Sequence, residues 1–145
     1  MTIARGAGLI LLFSCLLNLA CQKANEPLAT VQAPATSDVS LLQLIATPAA
    51  YDRKAVRVIG FCHLEFEGNG LYLHREDFDR AISKNAIWID APRDKAALSD
   101  QYVLIEATFD AGNNGHMGAF SGRLKDITRM ERWPSHKDFE KATQR

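Results

Sequence analysis

The sequence predicts a mainly β domain, with about five strands between two short helices. Apolar and polar residues alternate over 62–67 and again over 102–109, which is typical of strands with one buried face. Asn69-Gly70 stands between two such runs and favours a hairpin turn. The length of 145 residues suits one small domain. It excludes a TIM barrel and a two-domain dinucleotide-binding enzyme.

The charge composition argues against nucleic acid as a partner. Lys plus Arg is 17 and Asp plus Glu is 17, so the formal net charge is zero. Nucleic-acid-binding domains usually carry a basic excess. The hydrophobic fraction of 47% is also too high for a disordered chain.

Residues 1–20 are predicted to be a signal peptide. Arg5 precedes the apolar stretch 7–17, and small residues follow it at Ala20-Cys21. This order is typical of secretory signals. The stretch is shorter than the roughly 20 residues that span a bilayer.

Leu19-Ala20-Cys21 resembles a bacterial lipobox, although Asn18 stands where that motif usually has Leu. We predict lipidation of Cys21, a membrane anchor through the attached lipid, and a flexible tether over 21–37. The domain then lies on the periplasmic side of a bacterial membrane. An Asp directly after the lipidated Cys indicates retention in the inner membrane. This sequence has Gln22 at that position, which favours the outer membrane. The alternative is an ordinary signal peptide that leaves the Cys21 thiol free. A disulfide bond between Cys21 and Cys62 is then possible.

The folded domain is predicted over 38–133, beginning with a short helix. Ser37 is the expected N-cap, and Leu41, Leu44 and Ile45 form one apolar face. Thr47-Pro48 is expected to end the helix.

A long first strand should follow over 56–67, bent or bulged at Gly60. A two-residue turn at Asn69-Gly70 sets Glu65 opposite His74. In that register the inner face carries Leu64, Phe66, Leu71 and Leu73, and the outer face carries His63, Glu65, Glu67, Tyr72 and His74.

The rest of the chain supplies the remaining strands and the second helix. The predicted elements are a loop or helical turn over 75–85, a strand over 86–90, a connector over 91–101, a strand over 102–109, a loop over 110–118, a strand over 119–130, and a tail or short helix over 134–145. Ser135 and Asp138 resemble a capping box for that helix.

The run LIATPAAYDRKAVRVIGF (44–61) and the closing GRLKDITRMERW (122–133) resemble a family of small exported bacterial OB-fold-like lipoproteins, which is largely uncharacterised. The resemblance implies a five-stranded OB-like β-barrel with a short helix at each end. OB-folds commonly bind ligands on the face of their second and third strands and on the adjoining loops. No catalytic residue is implied.

The outer hairpin face is a candidate metal site, because His63, Glu65 and His74 are suitable ligand types and Glu76 is near in sequence. The alternative is a solvated face with ordinary charge pairs. Cys62 is interpreted as a core residue, since His63 beside it points to the opposite face.

Exposed aromatic, histidine and loop residues are the candidate ligand-binding groups, because long loops at a barrel rim often bind ligands. They are Tyr72, His74, Trp88, Asn113, Asn114 and His116.

The sequence has no strong catalytic motif and predicts no cofactor. We therefore expect a lipid-anchored, non-enzymatic binding module of the cell envelope, whose partner is a protein or an envelope component. One alternative is a small metal-binding protein or metal-dependent enzyme using His63, Glu65 and His74. Another is an envelope protein that neutralises a toxin or inhibitor.

Overall fold

The structure is a computed structural model that describes residues 35–143. The predicted signal peptide, the predicted lipidation site Cys21 and the predicted tether up to residue 34 lie outside the described residues. No helix within residues 35–143 is long and apolar enough to cross a membrane.

Short helices and strands follow one another through the described residues. They are β1 (Ser37–Asp38), α1 (Leu41–Ala46), α2 (Pro48–Tyr51), β2 (Ala55–His63), β3 (Gly70–Tyr72), α3 (Arg75–Asp79), β4 (Ala86–Ile89), β5 (Gln101–Asp110), β6 (Arg123–Arg132) and α4 (His136–Thr143). Short 3-10 helices cover Ser83–Asn85, Arg93–Leu98 and His116–Gly118.

Five of the strands close into a mixed β-barrel in the order β2-β3-β4-β6-β5, with β5 pairing again with β2. The β4–β6 pairing is parallel, and the other barrel pairings are antiparallel. The two-residue β1 adds in parallel to the start of β2. This confirms the predicted mainly β, OB-like barrel with a short helix at each end.

The core fills the barrel because alternate residues of each strand point inward. Val56, Val58 and Cys62 of β2 are fully buried, as is Phe109 of β5. Leu44 of α1 is also buried in this cluster, so the first helix contributes to the same core.

The first helix begins three residues later than predicted. Its N-cap is Ser40, whose hydroxyl accepts a hydrogen bond from the Gln43 N–H at 3.1 Å. Ser37, the expected cap, lies in β1 beside Val56. Pro48 ends α1 as predicted but also begins α2, because proline is well suited to the first turn of a helix.

The predicted hairpin register is wrong. Cys62 pairs with Leu71 and His63 pairs with Gly70, so residues 64–69 form a six-residue connection. A type I′ turn needs positive φ at both central residues, and neither Asn69 nor Gly70 has it. Glu67 has it instead, with φ at 61°.

This connection changes which residues face the core. Phe66, predicted on the inner face, is 92% exposed, and Glu65 does not lie opposite His74. Leu71 is buried as predicted, and Leu64 and Leu73 pack partly buried against the core.

The predicted bulge at Gly60 and the predicted bounds of the last strand also need correction. Gly60 lies in an unbroken ladder with β5, and a Cβ there would lie 2.8 Å from the Leu71 Cγ, so glycine permits the close approach of β3. The irregular register lies between β5 and β6, near Glu106 and Thr108. The last strand spans 123–132, not 119–130.

An ion-pair network covers the outer face of β2, β5 and β6. Glu106 accepts from Arg57 Nε at 2.9 Å and from Arg129 Nη1 at 3.1 Å. The pKa of Glu106 lies below its ordinary value, chiefly because of the hydrogen bond from Arg57.

This network predicts a measurable acid sensitivity. A carboxylate with a depressed pKa stabilises the fold above its unfolded pKa, and this contribution is lost as the pH falls through the folded value. We expect the urea midpoint of the native protein to fall more steeply below about pH 4.5 than that of Glu106→Gln. Parallel pH profiles for the two proteins would contradict this account.

Candidate functional site

A second apolar cluster lies on the outer face of β2, β3 and β4. It contains Phe61, Tyr72, Ala86 and Phe120, and Trp88 packs against it. The Trp88 and Phe120 rings meet edge to face, with centroids 5.4 Å apart. Trp88, which packs against this cluster, also lines a cleft on the barrel surface.

The cleft has a volume of about 410 Å³ and lies where four segments of the chain meet. The β2–β3 connection supplies Glu67 and Asn69, and residues 88–90 supply Trp88 and Asp90. The β5–β6 loop supplies Asn113, Gly115 and His116, and β6 begins there with Arg123. We call this the β4–β6 cleft.

Asp90 links β4 and β6 through its hydrogen bonds in the cleft. One of its carboxylate oxygens accepts from the Trp88 indole N–H at 3.1 Å. The other accepts from Arg123 through Nε, at 2.8 Å, and through Nη2. The hydrogen bond with Asp90 raises the pKa of Arg123. The parallel pairing of Trp88 with Arg123 brings these groups together.

The asparagines fix the loops on both sides of the cleft. The Asn69 side-chain oxygen accepts from the Glu65 N–H at 3.2 Å, and the Asn69 carbonyl accepts from the Ile89 N–H at 3.1 Å. In the other loop, the Asn113 side-chain oxygen accepts from the Gly115 N–H at 3.0 Å. Each side-chain amide is therefore oriented by its own backbone contact.

The β5–β6 loop lies directly against Trp88 because Gly115 has no side chain. A Cβ at Gly115 would lie 2.6 Å from the Trp88 Cβ, and the φ of 66° also favours glycine. His116 then lies 3.8 Å from a Glu67 oxygen, so the two loops approach each other across the cleft.

The structure brings three of the predicted ligand-binding residues together, namely Trp88, Asn113 and His116. Asn114 is beside them in the chain but does not line the cleft, and its carbonyl accepts from the Phe120 N–H. Tyr72 is only 6% exposed because the outer cluster covers it, and burial raises its pKa. The structure therefore offers little of Tyr72 to a ligand.

Two residues of the predicted metal set, His63 and Glu65, lie near each other, and the third, His74, is the N-cap of α3. His63 Nδ1 lies 2.8 Å from Asp100 and its Nε2 lies 3.6 Å from Glu65, while its ring stacks on Phe78. His74 begins α3, where its N–H donates to Asp77. Among residues 35–143, no three His, Cys, Asp or Glu side chains form a group that could hold a metal ion.

Cys62 belongs to the core, as predicted. Its side chain is fully buried, and burial raises the pKa of the thiol to about 12. Such a thiol is not a nucleophile at neutral pH.

Sequence reasoning did not select Glu67, Asn69, Asp90 or Arg123 as site residues. Alternation places Asp90 on the same face as Trp88, and this signal was available in the sequence. Arg123 has no such signal, because only the parallel pairing of β4 with β6 brings it there.

No family model, curated protein or solved structure matches this chain.

Proposed function

We propose that the protein is a lipid-anchored, non-enzymatic binding module of the cell envelope that binds its ligand in the β4–β6 cleft. One observation supports this most strongly. Four separate segments of the chain meet there and hold polar side chains around an indole ring. Small-molecule and cofactor sites are typically concave, with a few polar groups in fixed positions.

The bonding of these groups favours binding over proton transfer. Both oxygens of Asp90 accept hydrogen bonds from Trp88 and Arg123, which fixes the carboxylate in place. His116 and Glu67 are 3.8 Å apart, which is longer than a hydrogen bond between an acid and its base. These groups suit the orientation of a ligand.

The N-terminal pattern supports the proposed location. If Leu19-Ala20-Cys21 is processed as a lipobox, mass spectrometry of the membrane fraction will find an N-terminal acylated Cys21. Cys21→Ala should move the protein to the soluble fraction. An unmodified Cys21 thiol in the purified protein would contradict the anchor and leave the cleft proposal untouched.

Site-specific photocrosslinking in cells tests the binding function. Met117 is 90% exposed and adjoins His116, so p-benzoylphenylalanine placed there should form a covalent adduct with a bound ligand. The same residue at Phe139, which is 50% exposed on α4, is the matched control. We expect an adduct at position 117 that Trp88→Ala abolishes. No adduct at 117, or equal adducts at both positions, would contradict the proposal.

A further inference from the structure

The free hydrogen-bond donors of the β4–β6 cleft define which ligand atoms it can bind. The side-chain oxygens of Asn69 and Asn113 already accept from backbone N–H groups, so each Nδ2 is left as a donor. Arg123 uses Nε and Nη2 on Asp90, which leaves Nη1. Among residues 35–143 these three groups have no protein acceptor. Each of them can donate to an oxygen acceptor on a ligand.

The charges of the cleft disfavour an anionic ligand. Asp90 neutralises Arg123, and Glu67 adds a further negative charge that is 57% exposed. With His116 counted as neutral, a phosphate or carboxylate would meet a net negative site. A cation would gain nothing from the three free donors, because N–H groups bind acceptor atoms. A neutral ligand rich in oxygen satisfies both conditions.

A hydroxyl group both donates and accepts, so it matches the free donors and can also donate to Glu67. The apolar surface of Trp88 suits the remaining face of such a ligand. Trp88 lines the cleft, and Phe66 and Met117, which are 92% and 90% exposed, each adjoin a residue that lines it. Aromatic and thioether groups pack against C–H surfaces without needing hydrogen bonds.

An extended peptide is less well suited to the same place. Strand addition needs a free sheet edge, which supplies main-chain donors and acceptors to the incoming chain. Trp88 of β4 pairs with Gly70 of β3 on one side and with Arg123 of β6 on the other. The cleft therefore offers side-chain groups rather than an open backbone.

We infer that the β4–β6 cleft binds a neutral saccharide, with Asn69, Asn113 and Arg123 donating to its oxygens and Glu67 accepting from a hydroxyl or amide. This inference rests on the proposed binding function and names its ligand class.

The test is an NMR titration of the ¹⁵N-labelled full-length protein with tetra-N-acetylchitotetraose and with maltotetraose, up to about 10 mM, which detects millimolar affinity. We expect saturable shifts of the Trp88 indole N–H and of the Asn69 and Asn113 side-chain amides with at least one of them. Tetragalacturonate supplies an anionic saccharide of equal length, and tetra-alanine supplies a short peptide. We expect both to bind more weakly.

Asn113→Asp is the informative variant, because it keeps the oxygen that accepts from Gly115 and removes the Nδ2 donor. We expect it to weaken saccharide binding by about tenfold or more. Asn114→Asp makes the same chemical change one residue away, outside the cleft, and should leave the affinity within about twofold.

The outcomes separate this inference from the proposed function. Absence of binding by both neutral saccharides, or tighter binding of tetragalacturonate or tetra-alanine, overturns the saccharide assignment. If the adduct at position 117 persists and still depends on Trp88, the binding function stands with a different ligand class. If neither saccharide binds and the adduct at position 117 is absent, the saccharide assignment and the proposed binding function both fail.

Discussion

Phe109→Ala is expected to lower the free energy of unfolding by about 3–5 kcal/mol, a large part of the stability of a domain of this size. The ring is fully buried on β5, in the main core. The backbone of Gly122 lies against it, and a Cβ there would be 2.6 Å from the ring. Since Gly122 has no side chain that could fill the space, the substitution leaves a cavity. Urea denaturation followed by circular dichroism measures the loss.

Phe66→Ala is the matched control, since it removes the same ring from a site that is 92% exposed. We expect a change within about 0.5 kcal/mol. A loss above about 2 kcal/mol would place Phe66 in the core, as the two-residue hairpin predicts, and would contradict the observed register. A small effect of Phe109→Ala would contradict the core described for β5.

Alternation along single strands was sufficient to predict the strands and the mainly β class, whereas the closed barrel was only implied by the family resemblance. Val103, Ile105, Ala107 and Phe109 all point inward from β5, as their spacing of two indicates. Such a pattern depends only on which residues the strand buries. It does not identify the neighbouring strands, so the parallel β4–β6 pairing had no counterpart in the prediction.

The hairpin prediction failed because contacts distant in sequence outweigh the local Asn-Gly preference. The Ser99 hydroxyl accepts from the Leu64 N–H at 2.9 Å, just beyond the end of β2. The Asn69 carbonyl accepts from the N–H of Ile89, the last residue of β4. Both partners lie at least 20 positions away, where local turn chemistry gives no information.

The candidate site was predictable only where local sequence carried the signal. The glycine- and asparagine-rich loop suggested Asn113 and His116, and the structure places both in the cleft. The outward position of Tyr72 was predicted correctly, but Phe61, Phe78 and Phe120 cover it. The covering aromatic residues come from separate segments, so the burial of Tyr72 is a tertiary property.

Asp90→Asn is expected to have the largest effect on ligand binding, because one side chain holds both Trp88 and Arg123. An asparagine keeps one oxygen for one of these donors, and its amide then faces the other donor. We expect the photocrosslinked adduct at position 117 to fall about tenfold or more. The cost in stability should be only about 1 kcal/mol, since Asp90 and Arg123 are each 32% exposed and solvent screens the pair.

Glu106→Gln is the matched control for this change. It also converts an ion-paired carboxylate to an amide, but on the outer face formed with Arg57 and Arg129. We expect it to leave the adduct at position 117 unchanged while altering the acid sensitivity of folding. If Asp90→Asn instead leaves the adduct within about twofold of the native yield, Asp90 does not organise the site, and ligand binding depends on the loops that carry Asn69 and Asn113.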